Sequence, residues 1–423
     1  MKKIAIKKAN EVIYYDRLKN GLDVYMWPSK YGEDIHMSLT VKYGSIHTDF
    51  SMNNKVVHVP NGIAHFLEHI KFNEKSGVTA HEYYGKLGSY VNAYTTYDHT
   101  SYEVVCTENF KENLTHLLYF VNNPYFNKSL IEKEKPIIIE EAKMVLDNPY
   151  NIGYKILFEN IYVNDHKKYL VTGNVEDIKS INLENVLNVF DSFYAPNNMF
   201  LTITGHIDPD ETIKILNNYY SSIENEKQKD CKYITTKEPD YVKKEYEIKE
   251  CAVSSKKLLL AYKISKKLFD YDDIHLKILF TIILNCNFGL TSLFYEDLIK
   301  KDLIEDMFYG VSVEKNHVII TFEVSTDYPD KVALMIKEKM KNLQLTKEDF
   351  IRKNKIYIAS TLLGYDDPAE VNSEIRYDII TYGKIINNMN HILNKLSYNM
   401  GCKVIKAFKK CNISQVNMVP SDK

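Results

Sequence analysis

HMSLTVKYG, residues 36–44, sets the reading of the rest of the chain. Apolar and polar residues alternate along it, the period of a half-buried strand. Downstream the pattern turns helical at 62–72 and 79–87, then returns to strands in SYVNAYTTYD (89–98) and TSYEVVCTE (100–108). ENFKENLTHLLYFVNNP (108–124) has apolar positions at helical spacing and stops at Pro124; helical patterns continue through 129–161 and 182–193. A strand, NMFLTITGHI (198–207), then runs into the helical PDETIKILNNYYSSI (209–223).

The charged stretch 225–250, with Pro239, reads as a linker. Beyond it the same grammar recurs: strand KLLLAYKIS (257–265), helix 272–285, strand HVIITFEVS (317–325), helix DKVALMIKEKMKNL (330–343), helix 346–362 and a closing strand, ISQVNMV (413–419). The expected fold class is therefore α+β, with two similar domains, each a mainly antiparallel sheet with helices packed on one face. The expected boundaries are 1–224 and 251–423, joined by 225–250, with a metal site in the first domain and none in the second.

A chain of 423 residues is too long for one ordinary core. Its 45% hydrophobic and 26% charged content fit a packed globular protein. A net charge of −2, from 54 basic and 56 acidic residues, gives no electrostatic case for nucleic acid or an anionic membrane as partner. The basic N-terminus lacks an uninterrupted apolar segment, and the most apolar stretch (278–290) is broken by Asn285 and Asn287. The expectation is a soluble, cytoplasmic protein. Six cysteines (106, 231, 251, 286, 402, 411) show no CxxC pair and are expected as free thiols.

The chemistry is concentrated in PNGIAHFLEHIKF (60–72). Asn61 is placed to cap a helix on which His65 and His69, four apart, project from one face with Glu68 beside them. Two imidazoles at that spacing can chelate one zinc, and the carboxylate can act on a water without ligating. A third ligand is expected from SLIEKEKPIIIEEAKMVLDNP (129–149), where Ser129 and Glu132 form a capping-box pattern. Helical phase surrounds Glu141 with Ile137, Ile138, Met144 and Val145, whereas Glu140 falls nearer the edge of that stripe. A carboxylate in an apolar stripe needs a partner or a metal, which favours Glu141 as the ligand. Glu134, two turns earlier, either orients a ligand or water or remains a solvated charge.

Together GIAHFLEHIKF, Glu141 at 72 residues after His69 (141 − 69) and GSYVNAYTTYDHTSYEV (88–104) resemble the pitrilysin or insulin-degrading-enzyme family of inverzincin zinc peptidases, in particular its short bacterial two-domain members. The likeness extends through VTGNVEDIKSI (171–181), FYAPNNMFLTITGHID (193–208) and, weakly, SLFYEDLIKKDLIED (292–306). It implies Zn2+ on His65, His69 and Glu141, Glu68 as general base and Glu134 as a supporting acid. It also implies that the strand through Asn92, Ala93 and Tyr94 binds substrate backbone. The family's arginine and tyrosine, seven apart, are absent here: Ile299 stands at the arginine position and Asp306 near the tyrosine position. A homologous subunit supplying them in a heterodimer is the expectation, with a homodimer using Lys300 or Tyr309 as the alternative. The implied function is a zinc-dependent endopeptidase for unstructured peptides, with leader-peptide or precursor processing as one expected role; the alternative is a non-catalytic or partner-dependent scaffold subunit.

Overall fold

The computed structural model describes residues 1–6, 9–30, 32–52, 54–221, 231–408 and 411–421. They divide into two units whose sequence segments interleave. Unit 1 comprises 1–142, 170–235 and 361–388; unit 2 comprises 143–169, 236–360 and 389–423.

Unit 1 is built on a seven-stranded sheet in the spatial order Lys2–Ile6, Glu11–Arg17, Asp23–Pro28, Met199–Gly205, Ile35–Val41, Thr100–Cys106, Tyr90–Thr95. Asp23–Pro28 and Met199–Gly205 run parallel; the other neighbours are antiparallel. The period of two divides each strand between two cores. Val24, Met26, Met37, Leu39, Leu201 and Ile203 face helices Ile63–Lys71, Phe110–Asn122 and Leu183–Phe193 in the larger core. Tyr25, Trp27 and Phe200 point the other way, onto Val371, Ile375 and Ile379 of helix Pro368–Tyr382. Polar residues on that reverse face also bind the helix: Ser38 Oγ donates to Asn372 Oδ1 at 2.8 Å, and Arg376 pairs with Glu103.

Unit 2 repeats the plan with five strands, Tyr246–Cys251, Asn412–Pro420, Lys257–Ser265, His317–Ser325 and Asp306–Val313 in spatial order. Here the first pair, Tyr246–Cys251 with Asn412–Pro420, is parallel and the rest are antiparallel. One face of this sheet, with Leu259, Ala261, Val416 and Met418, is covered by Ile156, Leu157 and Ile161 of helix Pro149–Ile161. The approach is close at Gly153, where a Cβ would sit 2.5 Å from Leu259 Cδ1.

The expected α+β class is thus observed, and each sheet has helices on both faces. The expected division at 1–224 and 251–423 is corrected: 143–169 packs within unit 2, and 361–388 packs within unit 1. Sequence period reports which face of a helix is apolar, not which sheet that face will meet. Part of the expected linker, 225–230, lies outside the described residues. Its remainder is structured: Cys231–Tyr233 pairs with Asp49–Met52, and Tyr246–Cys251 is a sheet strand. Glu238 accepts hydrogen bonds from the amides of Val163, Asn164 and Asp165 and pairs with the buried Lys263 at 2.5 Å.

By length and composition Asp273–Lys300 passes for a membrane span, yet 56% of its most apolar window is buried within the protein. Cys106, Cys251, Cys286, Cys402 and Cys411 are free thiols.

Candidate metal centre

Helix Ile63–Lys71 begins without the expected Asn61 cap. Its N-cap is Gly62, at φ 82°, while Asn61 Nδ2 donates to Asp177 Oδ2 at 3.2 Å. A Cβ at Gly62 would lie 2.3 Å from Thr172 O, and one at Gly173 2.6 Å from Asn61 O. The two glycines allow the 60–62 turn and the 171–174 turn to pack backbone against backbone, which seats the helix. The second helix, Lys128–Asp147, starts one residue before Ser129 and runs through Pro136; Asn127 Oδ1 accepts from the amide of Leu130 at 2.9 Å, so the expected Ser129 cap is replaced by Asn127.

These helices bring the expected ligands together. Glu141 Oε1 lies 3.4 Å from His65 Nε2, and Glu141 Oε2 lies 3.2 Å from His69 Nε2. The donor atoms of His65, His69 and Glu141 all lie within 4.8 Å of one another, and this is the one convergent metal-type group among the described residues. A tetrahedral cation with ligands at about 2.0–2.1 Å needs donor separations of about 3.3–3.4 Å, so the two measured spacings fit. His69 Nδ1 lies 3.1 Å from Glu134 Oε1, the carboxylate accepting, and its Nε2 faces Glu141. His65 Nδ1, by contrast, is buried without a hydrogen-bond partner among the described residues.

Glu68 is buried on the same helix, one residue before His69. Burial pushes its carboxyl above the ordinary value of 4.5, opposed by His65, by a hydrogen bond from Thr95 and by His69. That bond is short, Thr95 Oγ1 to Glu68 Oε2 at 2.6 Å. Glu141 is held below its ordinary value chiefly by its hydrogen bond to His65. For His69, burial favours the neutral ring, but the Glu134 hydrogen bond and the Glu141 and Glu68 charges outweigh it and raise the pKa.

The apolar stripe expected around Glu141 is present only in part. Ile138 and Ala142 are buried, whereas Ile137 and Met144 are 51% and 69% exposed, so the apolar stripe is narrower than its composition indicates. Glu140 is exposed. Asn92, Ala93 and Tyr94 lie on Tyr90–Thr95, the outermost strand of the sheet, paired on one side with Thr100–Cys106. Sequence reasoning missed Thr95, the residue that joins this edge strand to Glu68. Its signal was present in AYTTYD, but a threonine in a strand is ordinarily read as packing. In unit 2, Ile299 is exposed and Asp306 Oδ1 accepts from the Ser325 amide at 3.2 Å. Lys300 is engaged by Glu296 on its own helix at 3.0 Å.

Two imidazoles one helical turn apart, a glutamate from a second helix and a buried carboxylate beside them define an inverted HxxEH centre. Residues 29–173 match the family model described as insulinase (peptidase family M16), and 180–357 match the peptidase M16 inactive domain. A relative named uncharacterized zinc protease YmfH, from Bacillus subtilis, is 32% identical over 369 residues, covering 85% of this chain and 84% of that protein. The chain belongs to the M16 peptidase family. The M16-like peptidase of Alicyclobacillus acidocaldarius has a similar fold, with a TM-score of 0.88 at 24% identity, covering 97% of this chain and 98% of that one. A mitochondrial-processing peptidase subunit beta from Caenorhabditis elegans is 27% identical over 172 residues, covering 39% of this chain and 37% of that one; its name makes it one subunit of an assembly.

Proposed function

We propose that the chain is a zinc-dependent endopeptidase for unstructured peptides, working in a dimer with a homologous subunit. The observation that carries this reading is the convergence of His65, His69 and Glu141 on one point beside the buried Glu68. His65, His69 and Glu141 would hold the metal, with Glu134 fixing the ring of His69. Zinc bound there supplies Lewis acidity toward the scissile carbonyl and makes water easier to ionise.

The remaining work falls to the chain. Glu68 accepts the proton of the attacking water and returns it to the leaving amine, a task its raised pKa suits. Thr95 holds one oxygen of Glu68. A peptide adding as a further strand to the edge at Asn92, Ala93 and Tyr94 is carried toward Glu68, because Thr95 ends that strand. Main-chain pairing of this kind tolerates varied side chains, which fits a role in leader-peptide or precursor processing.

Ile299 and Asp306 offer no donor at the positions where the family resemblance puts arginine and tyrosine, which supports a heterodimer whose partner supplies both. The homodimer alternative would instead draw on Lys300, which is exposed and paired only with Glu296 on its own helix, or on Tyr309. The proposal includes a cytoplasmic location, which fractionation of the native host checks.

Purified chain should bind one zinc and cleave an unstructured fluorogenic peptide library when combined with the homologous subunit that copurifies with it. Full activity of the chain alone overturns the heterodimer. Absence of zinc, together with no cleavage alone or with that subunit, overturns the peptidase in favour of a scaffold subunit.

A further inference from the structure

Unit 2 contains a cavity that the peptidase reading does not use. Its volume is 920 Å³, and it opens where the end of strand Lys257–Ser265 meets the last turn of helix Pro329–Lys341, helix Tyr398–Ala407 and the start of strand Asn412–Pro420. The floor is apolar, formed by the buried Tyr262, Met340 and Phe408. Tyr262 is 1% exposed, yet its hydroxyl has no hydrogen-bond partner among the described residues. A buried polar group left unsatisfied costs stability, and a ligand atom can relieve that cost.

The rim is cationic. Lys267, Lys341 and Lys406 line the cavity from exposed positions; the side chains of Lys341 and Lys406 form no ion pair or hydrogen bond with a described residue, and Lys267 lies within electrostatic reach of Asp240. Lys337, deeper in, donates to Gln415 Oε1 at 2.7 Å. The other charged liners are already partnered: Lys263 with Glu238, and Asp240 with His317 at 2.9 Å. Two unpaired ammonium groups, with Lys267 beside them, focus positive potential around an apolar hollow where a ligand would enter. The size and lining are those of a small-molecule site.

We propose that this cavity binds a small molecule with an apolar body and a carboxylate or phosphate-monoester head. The body covers Tyr262, Met340 and Phe408, the head takes the charge of the lysine rim, and Tyr262 gains an acceptor. The site shares no residue with the metal centre, so it stands whether or not the chain is a peptidase.

Calorimetric titration of the full chain with decanoate and with decyl phosphate, below their micelle concentrations, tests the proposal. One molecule of either or both should bind per chain, more weakly at high salt, and the arm that binds identifies the head. Decylammonium should not bind. The double substitution Lys341→Glu/Lys406→Glu, at two exposed positions, should weaken binding about tenfold or more. Tyr262→Phe should weaken it about threefold without lowering Tm, because it removes an unsatisfied hydroxyl. Failure of both anions to bind at millimolar concentration, equal binding of decylammonium, or unchanged affinity in both variants overturns the proposal.

Discussion

In unit 1 the strand Ile35–Val41 leads to a nine-residue helix bearing His65, Glu68 and His69; in unit 2 the strand Lys257–Ser265 leads to the sixteen-residue helix Asp273–Phe288, whose inward residues include Leu276, Leu279, Ile282 and Ile283. The strand order around both is the same: Asp23–Pro28, Met199–Gly205, Ile35–Val41, Thr100–Cys106 and Tyr90–Thr95 in one, and Tyr246–Cys251, Asn412–Pro420, Lys257–Ser265, His317–Ser325 and Asp306–Val313 in the other. The parallel pair falls at the same place in each. One scaffold therefore carries two outcomes, and the difference lies in which side chains the first helix turns inward. In unit 1 Phe66, Leu67 and Ile70 join the core while His65 and His69 turn toward Glu141; in unit 2 the inward residues, Asn287 apart, are apolar and complete a core.

The largest effect that sharpens this contrast is expected from Glu68→Gln. Cleavage should fall about 10²–10⁴-fold with zinc still bound, measured by fluorogenic peptide assay and elemental analysis. His275→Gln, at the start of the matching helix in unit 2, should change neither. Because the folded pKa of Glu68 is raised, the base is lost as pH falls through that raised value. The acid limb of kcat/KM should therefore lie above the ordinary carboxylate value of 4.5 and disappear in the variant.

Lys263→Met attacks unit 2 instead. It leaves Glu238 charged, buried and without its cation, so the fold should lose about 3–5 kcal/mol by denaturant titration, while zinc per folded chain stays the same. A smaller effect is expected from Glu134→Ala, which removes the acceptor of His69 Nδ1; chelator competition should show zinc affinity down about 10–100-fold. The smallest is Thr95→Val, which takes one hydrogen bond from Glu68 and should lower kcat/KM about tenfold at unchanged zinc content.

Much of this contrast was legible in the chain. Spacing alone placed His65, Glu68 and His69 on one face, since an i, i+4 pair meets in any α-helix. Strands 257–265 and 317–325 were read at their observed limits because both are long, apolar and bounded by turns. Glu141 was reached through a stripe broader than the real one, yet helical phase still separated it from Glu140. The strands at Lys2–Ile6, Glu11–Arg17 and Asp23–Pro28 were missed, because they mix charged and aromatic residues without clean alternation. So was helix Pro368–Tyr382, whose inward face mixes Asn372, Arg376 and Asp378 with aliphatics and so blurs the amphipathic signal. Glycine at 62 reads locally as a turn. Its closeness to Thr172 is a tertiary fact that no local window contains.

The interleaving of segments bears on how the protein is made. Strand Met199–Gly205 is synthesised 163 residues before helix Pro368 begins (368 − 205), so a nascent unit 1 presents Tyr25, Trp27 and Phe200 bare throughout that interval. At about 5–20 residues per second this lasts on the order of ten to thirty seconds, ample for a holdase to engage or for aggregation to begin. Severing the gene between the halves would make that exposure permanent. Each fragment would retain a helix whose sheet is on the other and lack the helix that covers its own.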